Sequence, residues 1–286
     1  KGRDSTMTGK FRTDLACEQR ENLGAGRLEG VSASAWSERG CGIERVDILD
    51  GRGSDALCKP IGAYITVTLP ALAERRDGSF EDSVQELAEL MRGLMGERSG
   101  LTLVAGLGNA VMTPDAVGPL AAEYVLATRH LKETMPADFA GFSPVCVLRP
   151  GVLGSTGMES AEILLSVCER VKPERIIAVD ALAAASLGRL CGTIQITDAG
   201  IVPGSGVGNN RAALTRETLG VPVLALGVPT VVDLAMFTDD EAARGMFVTP
   251  RDIDASVRSL AKLLGYAVNL ALHDGLTVAD VDLLKS

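Results

Sequence analysis

The chain has 286 residues, 46% apolar but only 3% aromatic, with a formal net charge of −9 and a pI of about 4.9. That suits one large α/β domain with an aliphatic core, or two small ones, and it argues against direct binding of nucleic acid or an anionic membrane. No apolar run approaches the ~18 residues of a membrane span, and the stretch KGRDSTMTGK has no apolar signal core, so a cytoplasmic protein is expected.

Residues 1–12 are polar and without periodicity; Lys1 is not an initiator, and Met7 is a candidate native start. The segment from Ser34 to Gly40 reads as a loop. Ile43 to Leu49 alternates imperfectly, as an exposed edge strand would, and Tyr64 to Leu69 is a better, β-branched strand. The two are placed to pair across Gly51 to Pro60. Glu81 to Met95 carries Val84, Leu87, Met91 and Leu94 on one helical face.

Thr102 to Ala105 is a short strand, after which Gly106 and Gly108 permit a tight turn and Asn109 suits one. Thr113, Pro114 and Asp115 read as a helix opening: a capping hydroxyl, a proline in the first turn and a carboxylate near the positive end of the dipole. Pro144 to Leu148 is the next strand, and Glu159 to Val171 a helix striped by Ile163, Leu164, Val167 and Val171. Arg175 to Val179 reads as a buried strand ending at Asp180, with an Ala-rich helix over Ala181 to Leu190. Thr193 to Thr197 is a strand ending at Asp198, followed by the glycine-rich loop from Gly200 to Arg211. Val221 to Leu226 is a strand whose Gly227-Val228-Pro229-Thr230 sequel starts another helix. Thr249, Pro250 and Asp252 open a last helix that runs to about His273. Alternating strands and helices predict a three-layer α/β fold, with a largely parallel central sheet and helices on both faces.

The chemistry is defined as much by what is missing. His130 and His273 each follow the apolar end of a helix, where a cation is favoured, so both read as structural. Ser205 lacks the first glycine of a nucleophile elbow. There is no H-E-x-x-H, no Cys/His cluster and no phosphate-binding P-loop, and Gly106-Leu107-Gly108 lacks the third glycine of a dinucleotide fingerprint. No cofactor or metal is expected. The six cysteines form no C-x-x-C pair and read as buried free thiols. What remains is acids at strand ends: Asp115, Asp180 and Asp198. If the strands before Asp115 and Asp180 are parallel neighbours, the carboxylates converge at one edge, share a proton, and can activate water while polarising a carbonyl. Helix capping by the same aspartates is the plainer alternative.

Five motifs in order resemble the germination protease family of spore-forming Firmicutes. They are Gly106-Leu-Gly-Asn109 with Thr113-Pro-Asp-Ala-Val-Gly-Pro119, Arg149 to Gly154, Val179-Asp-Ala-Leu-Ala-Ala184, Thr193 to Asn209, and Gly227-Val-Pro-Thr-Val-Val-Asp233. The similarity runs from about Arg12 to His273. It departs at Ala110, where an aromatic residue is expected, and at Ala185, where an Arg is expected.

The resemblance implies an endopeptidase that degrades small acid-soluble spore proteins at germination, in the forespore or spore core, with a fold related to hydrogenase maturation proteases (phosphorylase/hydrolase-like). It implies two essential aspartates, mapping onto Asp115 and Asp180. It implies a homotetramer and a zymogen whose pro-segment, residues 1–14, is clipped from a single protease domain, 15–286. Thr13-Asp14-Leu15-Ala16 resembles the family's substrate consensus, which places the cut between Asp14 and Leu15; helix capping by Thr13 or Asp14 is the local alternative. Gly106, Gly108, Asn109, Asp198, Gly204, Ser205 and Gly206 are candidate substrate-binding or supporting residues. Two other functions stay open: a metal-dependent protease of the maturation type, and a non-enzymatic module using the Gly200 to Gly208 loop as an anion nest.

Overall fold

A computed structural model of the chain describes residues 12–24, 28–70, 78–96, 100–208, 211–238 and 240–285. Most of the expected pro-segment, residues 1–11, and the end of the glycine-rich loop, residues 209–210, lie outside the described residues. The strands are β1 (Val31–Glu38), β2 (Cys41–Ile48), β3 (Gly62–Thr68), β4 (Thr102–Gly106), β5 (Val145–Leu148), β6 (Arg175–Ala184), β7 (Thr193–Thr197), β8 (Val223–Asp233) and β9 (Phe247–Val248). The helices are α1 (Ala16–Asn22), α2 (Gly51–Leu57), α3 (Ser79–Met95), α4 (Val117–Tyr124), α5 (Arg129–Thr134), α6 (Leu153–Thr156), α7 (Ser160–Val171), α8 (Arg216–Leu219), α9 (Ile253–Leu272) and α10 (Val278–Lys285).

All the strands join one sheet in the order β1-β2-β3-β7-β8-β6-β4-β5, with β9 paired to β8. The sheet is mixed, which corrects the largely parallel expectation. The run β5-β4-β6-β8 is parallel, whereas β1-β2, β2-β3, β3-β7, β7-β8 and β8-β9 are antiparallel. The parallel run is where strands alternate with helices; on the antiparallel side β1, β2 and β3 are consecutive, whereas β3 meets β7 from far along the chain and β7 reaches β8 through the glycine-rich loop and α8. The segment from Ser34 to Gly40, read as a loop, lies mostly in β1, which pairs with β2 in register from Val31 to Glu38. Its side chains are mostly exposed, so the burial signal that betrays a strand is missing. The expected pairing of the next two strands is present as β2-β3.

Two expected helices start as strand and end in single 3₁₀ turns, Leu187–Arg189 and Leu234–Met236. β6 runs through Ala184 and β8 through Asp233, paired to each other beyond Asp180 and Gly227 with a bulge at Leu182/Ala183. Alanines favour helix in isolation, but here both strands are buried, and pairing outweighs propensity. Pro229 sits at that bulge, where a missing N–H costs least.

One sheet face is covered by α3, α4 and α9, whose Val84, Leu87, Ala121, Leu260 and Leu264 pack on Val104, Ile177, Val179 and Leu226. The other face meets α7 through Leu164 and Cys168 against Leu103, Ala105, Ile176 and Ala178. The alternation along β6 divides Ile176, Ala178 and Asp180 from Ile177 and Val179, and that pleat aims Asp180 to the α7 side. Among the described residues no helix is long and apolar enough to cross a membrane.

Candidate active site

Asp180 and Asp115 meet because β4 and β6 are parallel neighbours. Gly106 is opposite Val179, and the Leu107 N–H carries the pairing one step further to the Val179 carbonyl at 2.8 Å. The chain then turns at Gly108, whose φ of +105° is open to glycine and whose absent Cβ would lie 2.1 Å from the Asp115 carbonyl oxygen. The turn closes on Asp115: its Oδ2 accepts from the Asn109 N–H at 2.8 Å, and its own N–H donates to the Met112 carbonyl at 2.8 Å. Thr113–Asp115 is a single 3₁₀ turn preceding α4, and Thr113 does not cap it; its Oγ1 donates to Asp254 at 2.8 Å. The turn is held from the other side by Thr230, whose Oγ1 donates to the Pro114 carbonyl at 2.7 Å. Gly118 of α4 packs so closely that a Cβ would fall 2.3 Å from the Val179 oxygen, and Gly106 likewise meets the Gly118 carbonyl. Gly106 thus seats α4 behind the site rather than lining it.

Both carboxyls open into one cleft of about 360 Å³, with Gly108, Asn109, Gly204, Glu159, Arg211 and Thr230 among its walls. Their environments differ. Burial pushes Asp180 well above the usual carboxylate range, and the Asp115 charge pushes it further, against one N–H from Ala181. Burial also raises Asp115, but the Asn109 N–H and the Arg211 charge hold it down. Two carboxyls so placed titrate as a unit, with the shared proton favouring Asp180. Asp180 is not at a strand end as expected; it lies inside β6, opposite Gly227.

The other candidates are arranged around a second pocket of about 260 Å³ that shares Leu182 with the first. Asp14 lines it. The Asp14 N–H donates to the Ala183 carbonyl at 2.9 Å, and its carboxylate accepts from the Ala183 N–H at 2.8 Å and from Ser205 Oγ at 2.6 Å. Its carbonyl accepts from Lys59 Nζ at 2.8 Å and Gln195 Nε2 at 3.0 Å. Gly206 leaves room for that carboxylate, since a Cβ there would sit 2.1 Å from Asp14 Oδ2. Leu15 is fully buried against Leu182, Ala184 and Val232, and Glu18 accepts from the N–H groups of Ala185 and Ser186. The expected cleavage bond is therefore docked, beside the acid pair's cleft but outside it. The anion that the glycine-rich loop receives through Ser205 is the chain's own Asp14. Thr13 and Asp14 do not cap α1 through their side chains.

Asp198 takes a different place from the other two acids. Because β7 is antiparallel to β8, it emerges at the opposite end of the sheet, where Oδ1 accepts from the Ala63 N–H at 2.7 Å. Neither histidine lines either pocket. Burial pushes the Cys17 and Cys191 thiols up to about 11, which leaves them protonated and unreactive. Among the described residues, the grouping with metal-ligand spacing is Cys17, Glu21 and Glu44, and Arg189 already bridges its two carboxylates. The acid cleft offers carboxylates without a histidine or thiol. Glu159, Arg211 and Thr230 were missed in the sequence; the last two stand in motifs noted there, the glycine-rich loop and Gly227–Thr230.

Residues 12–244 match the family model described as germination protease. A germination protease of Caldanaerobacter subterraneus subsp. tengcongensis is 40% identical, over 96% of this chain and 98% of the relative. One of Clostridium tetani is 37% identical over 95% and 98%. One of Bacillus cytotoxicus is 42% identical over 80% of this chain and 65% of its own length.

Proposed function

The chain belongs to the germination protease family, and on that premise we propose that it is an aspartate-dependent endopeptidase acting on small acid-soluble spore proteins in the spore core. One observation carries the mechanism: two carboxyls face one cleft, both raised by burial and Asp180 the further, so that the shared proton favours Asp180 and Asp115 is the member that loses its proton first. Asp115 takes a proton from water as its oxygen bonds to the peptide carbonyl carbon, while Asp180 gives its proton to the carbonyl oxygen. When the tetrahedral species collapses, the C–N bond breaks, the leaving nitrogen receives the proton held by Asp115, and Asp180 recovers its own. The fold kinship with hydrogenase maturation proteases and the homotetramer belong to the same reading; sedimentation velocity tests the latter.

Processing between Asp14 and Leu15 is part of this proposal. The bond is docked in the neighbouring pocket, so cutting requires its release into a cleft, its own or that of a second copy. Mild acid favours the cut, because protonating one member of the pair sets up its working form.

The test is hydrolysis of a small acid-soluble spore protein by the wild type, Asp115→Asn and Asp180→Asn, with and without chelator. Loss of activity in both variants with unchanged circular dichroism, and activity that survives chelator, supports the acid pair. Near-normal turnover by either folded variant sinks it, and chelator loss restored by one metal, with oligomer size unchanged, favours the metal-dependent reading.

A further inference from the structure

We propose that the edge of β6 at Ala181 and Ala183 is the main-chain docking site of the peptide substrate, which joins it as an added strand, and that Asp14 occupies half of that edge in the unprocessed chain. The inference rests on the peptidase reading above and deepens it.

The edge exists because β4 is shorter than β6. β4 pairs with β6 as far as Gly106 opposite Val179, and the Leu107 N–H then closes on the Val179 carbonyl at 2.8 Å. The turn at Gly108 leads the chain away, while β6 continues to Ala184 with β8 along its other edge. Backbone groups of successive residues alternate between the two edges of a strand. The Ile176 N–H is directed to the β8 side, where it donates to the Pro222 carbonyl at 2.9 Å. Val179, Ala181 and Ala183 therefore present their N–H and C=O groups on the β4 side.

These steps are occupied differently. β4 takes Val179. Asp14 takes both groups of Ala183: its N–H donates to the carbonyl at 2.9 Å, and its Oδ2 accepts the N–H at 2.8 Å. One step further on, Glu18 takes the Ala185 N–H at 2.8 Å. Ala181 lies between the first two and lines the acid cleft, and its N–H donates to Oδ1 of the adjoining Asp180 at 2.9 Å. Among the described residues no strand pairs with this edge beyond Val179. An open edge of this kind takes extended polypeptide through its backbone. Asp14 already uses it, one step of about 7 Å from Ala181.

Pairing at Ala181 also serves the chemistry. The Ala181 N–H is the donor that lowers Asp180, against burial and the Asp115 charge. A peptide carbonyl that takes this N–H removes the donor, so binding holds the proton on Asp180. The ligand class is an extended polypeptide segment, gripped by its main chain whatever its side chains.

The experiment uses a blocked octapeptide copying Arg12 to Gln19, with Ser in place of Cys17. Calorimetry reads its affinity for the full Asp115→Asn chain, so the result does not depend on turnover. A series of analogues replaces one amide N–H at a time by an ester oxygen. One ester is expected to weaken binding at least about fivefold, the worth of one hydrogen bond, and its immediate neighbours less than about twofold. Adding Asp14→Ala frees Ala183. The parent peptide should then bind at least about fivefold more tightly, and a second ester, two residues from the first, should become as costly. The proposal is overturned if the parent peptide does not bind, if no ester matters, or if the costly esters are adjacent rather than alternate. It is also overturned if a folded Asp14→Ala chain gains neither affinity nor the second sensitive position. The ester series with Asp14 in place decides the Ala181 step without that variant. Absence of hydrolysis by the wild type would count against the peptidase reading, while the ester series would still decide the edge.

Discussion

The two pockets flanking Leu182 use the same kinds of residue to opposite ends. In the pocket of Asp14, the carboxylate, carbonyl and N–H of one residue are all received by the body of the protein, and Leu15 beyond it is fully buried. In the cleft of Asp115 and Asp180, each carboxylate receives one backbone N–H, and both face open volume. A satisfied carboxylate is an anchor. A desolvated, incompletely satisfied one has a raised pKa and can trade protons. The difference lies in the number of donors rather than in the residue type.

The largest test of that contrast swaps the acids one at a time. Asp115→Asn and Asp180→Asn should each lower peptide turnover about 10³-fold or more, the range of an acid–base group. Asp14→Asn should leave turnover of added peptides within about twofold, as expected for a residue that touches neither reacting group. If Asp14→Asn were as damaging as Asp180→Asn in steady-state assays, the two pockets would be one site.

Acid is expected to remove the distinction by destabilising the whole fold, with His273 setting part of that limit. Its imidazole is buried, beside the Lys132 charge, and burial is the larger cause that takes its pKa from 6.5 down to about 4, with Asp274 opposing. Its Nδ1 accepts from the Ser143 N–H at 3.2 Å. The unfolded chain therefore binds the extra proton between these values. Stability from this group is complete above pH 6.5 and is lost as pH falls toward 4, by up to about 3 kcal/mol. Chemical denaturation at pH 7 and pH 4.5 checks it, and equal stability from a His273→Gln control at the two pH values assigns the effect to this side chain.

Gly108→Ala sharpens the geometric side. A Cβ there meets Asp115 itself, and the φ of +105° adds strain, so about 1–3 kcal/mol of stability should go. Activity should fall at least ~10-fold, because a displacement of about 1 Å at a reacting group is enough for more. A Gly108→Ala chain with normal kcat would show that the position of Asp115 is not critical.

The smallest effect belongs to the anchored pocket. Lys59→Met removes one of two donors to the Asp14 carbonyl. Losing about 1 kcal/mol of docking should speed appearance of a Leu15 terminus about fivefold without changing turnover of added peptide. Slower processing in this variant would mean that Lys59 polarises the bond rather than restraining it.

Local pattern carried much of this fold. The periodicity of α3, α7 and α9 was legible because a helix that buries one face shows it as a stripe, and β3, β4 and β7 were legible as short, β-branched runs buried on both faces. The turn around Asp115 was legible because glycine, asparagine and proline have backbone requirements of their own. Three things were decided only when the strands paired. The edge strand β1 lacks a buried face, so its pairing with β2 left no pattern to read. The alanines after Asp180 and the proline after Gly227 favour helix and turn locally, and became strand because β6 and β8 extend along each other. The direction of β7 was the third: its reversal against β8 carried Asp198 away from Asp115 and Asp180. A residue's chemistry is local, and so is its backbone preference. Which carboxylates share a cleft, and which is left short of donors, depends on strand order and direction, and those are settled by contacts far apart in the chain.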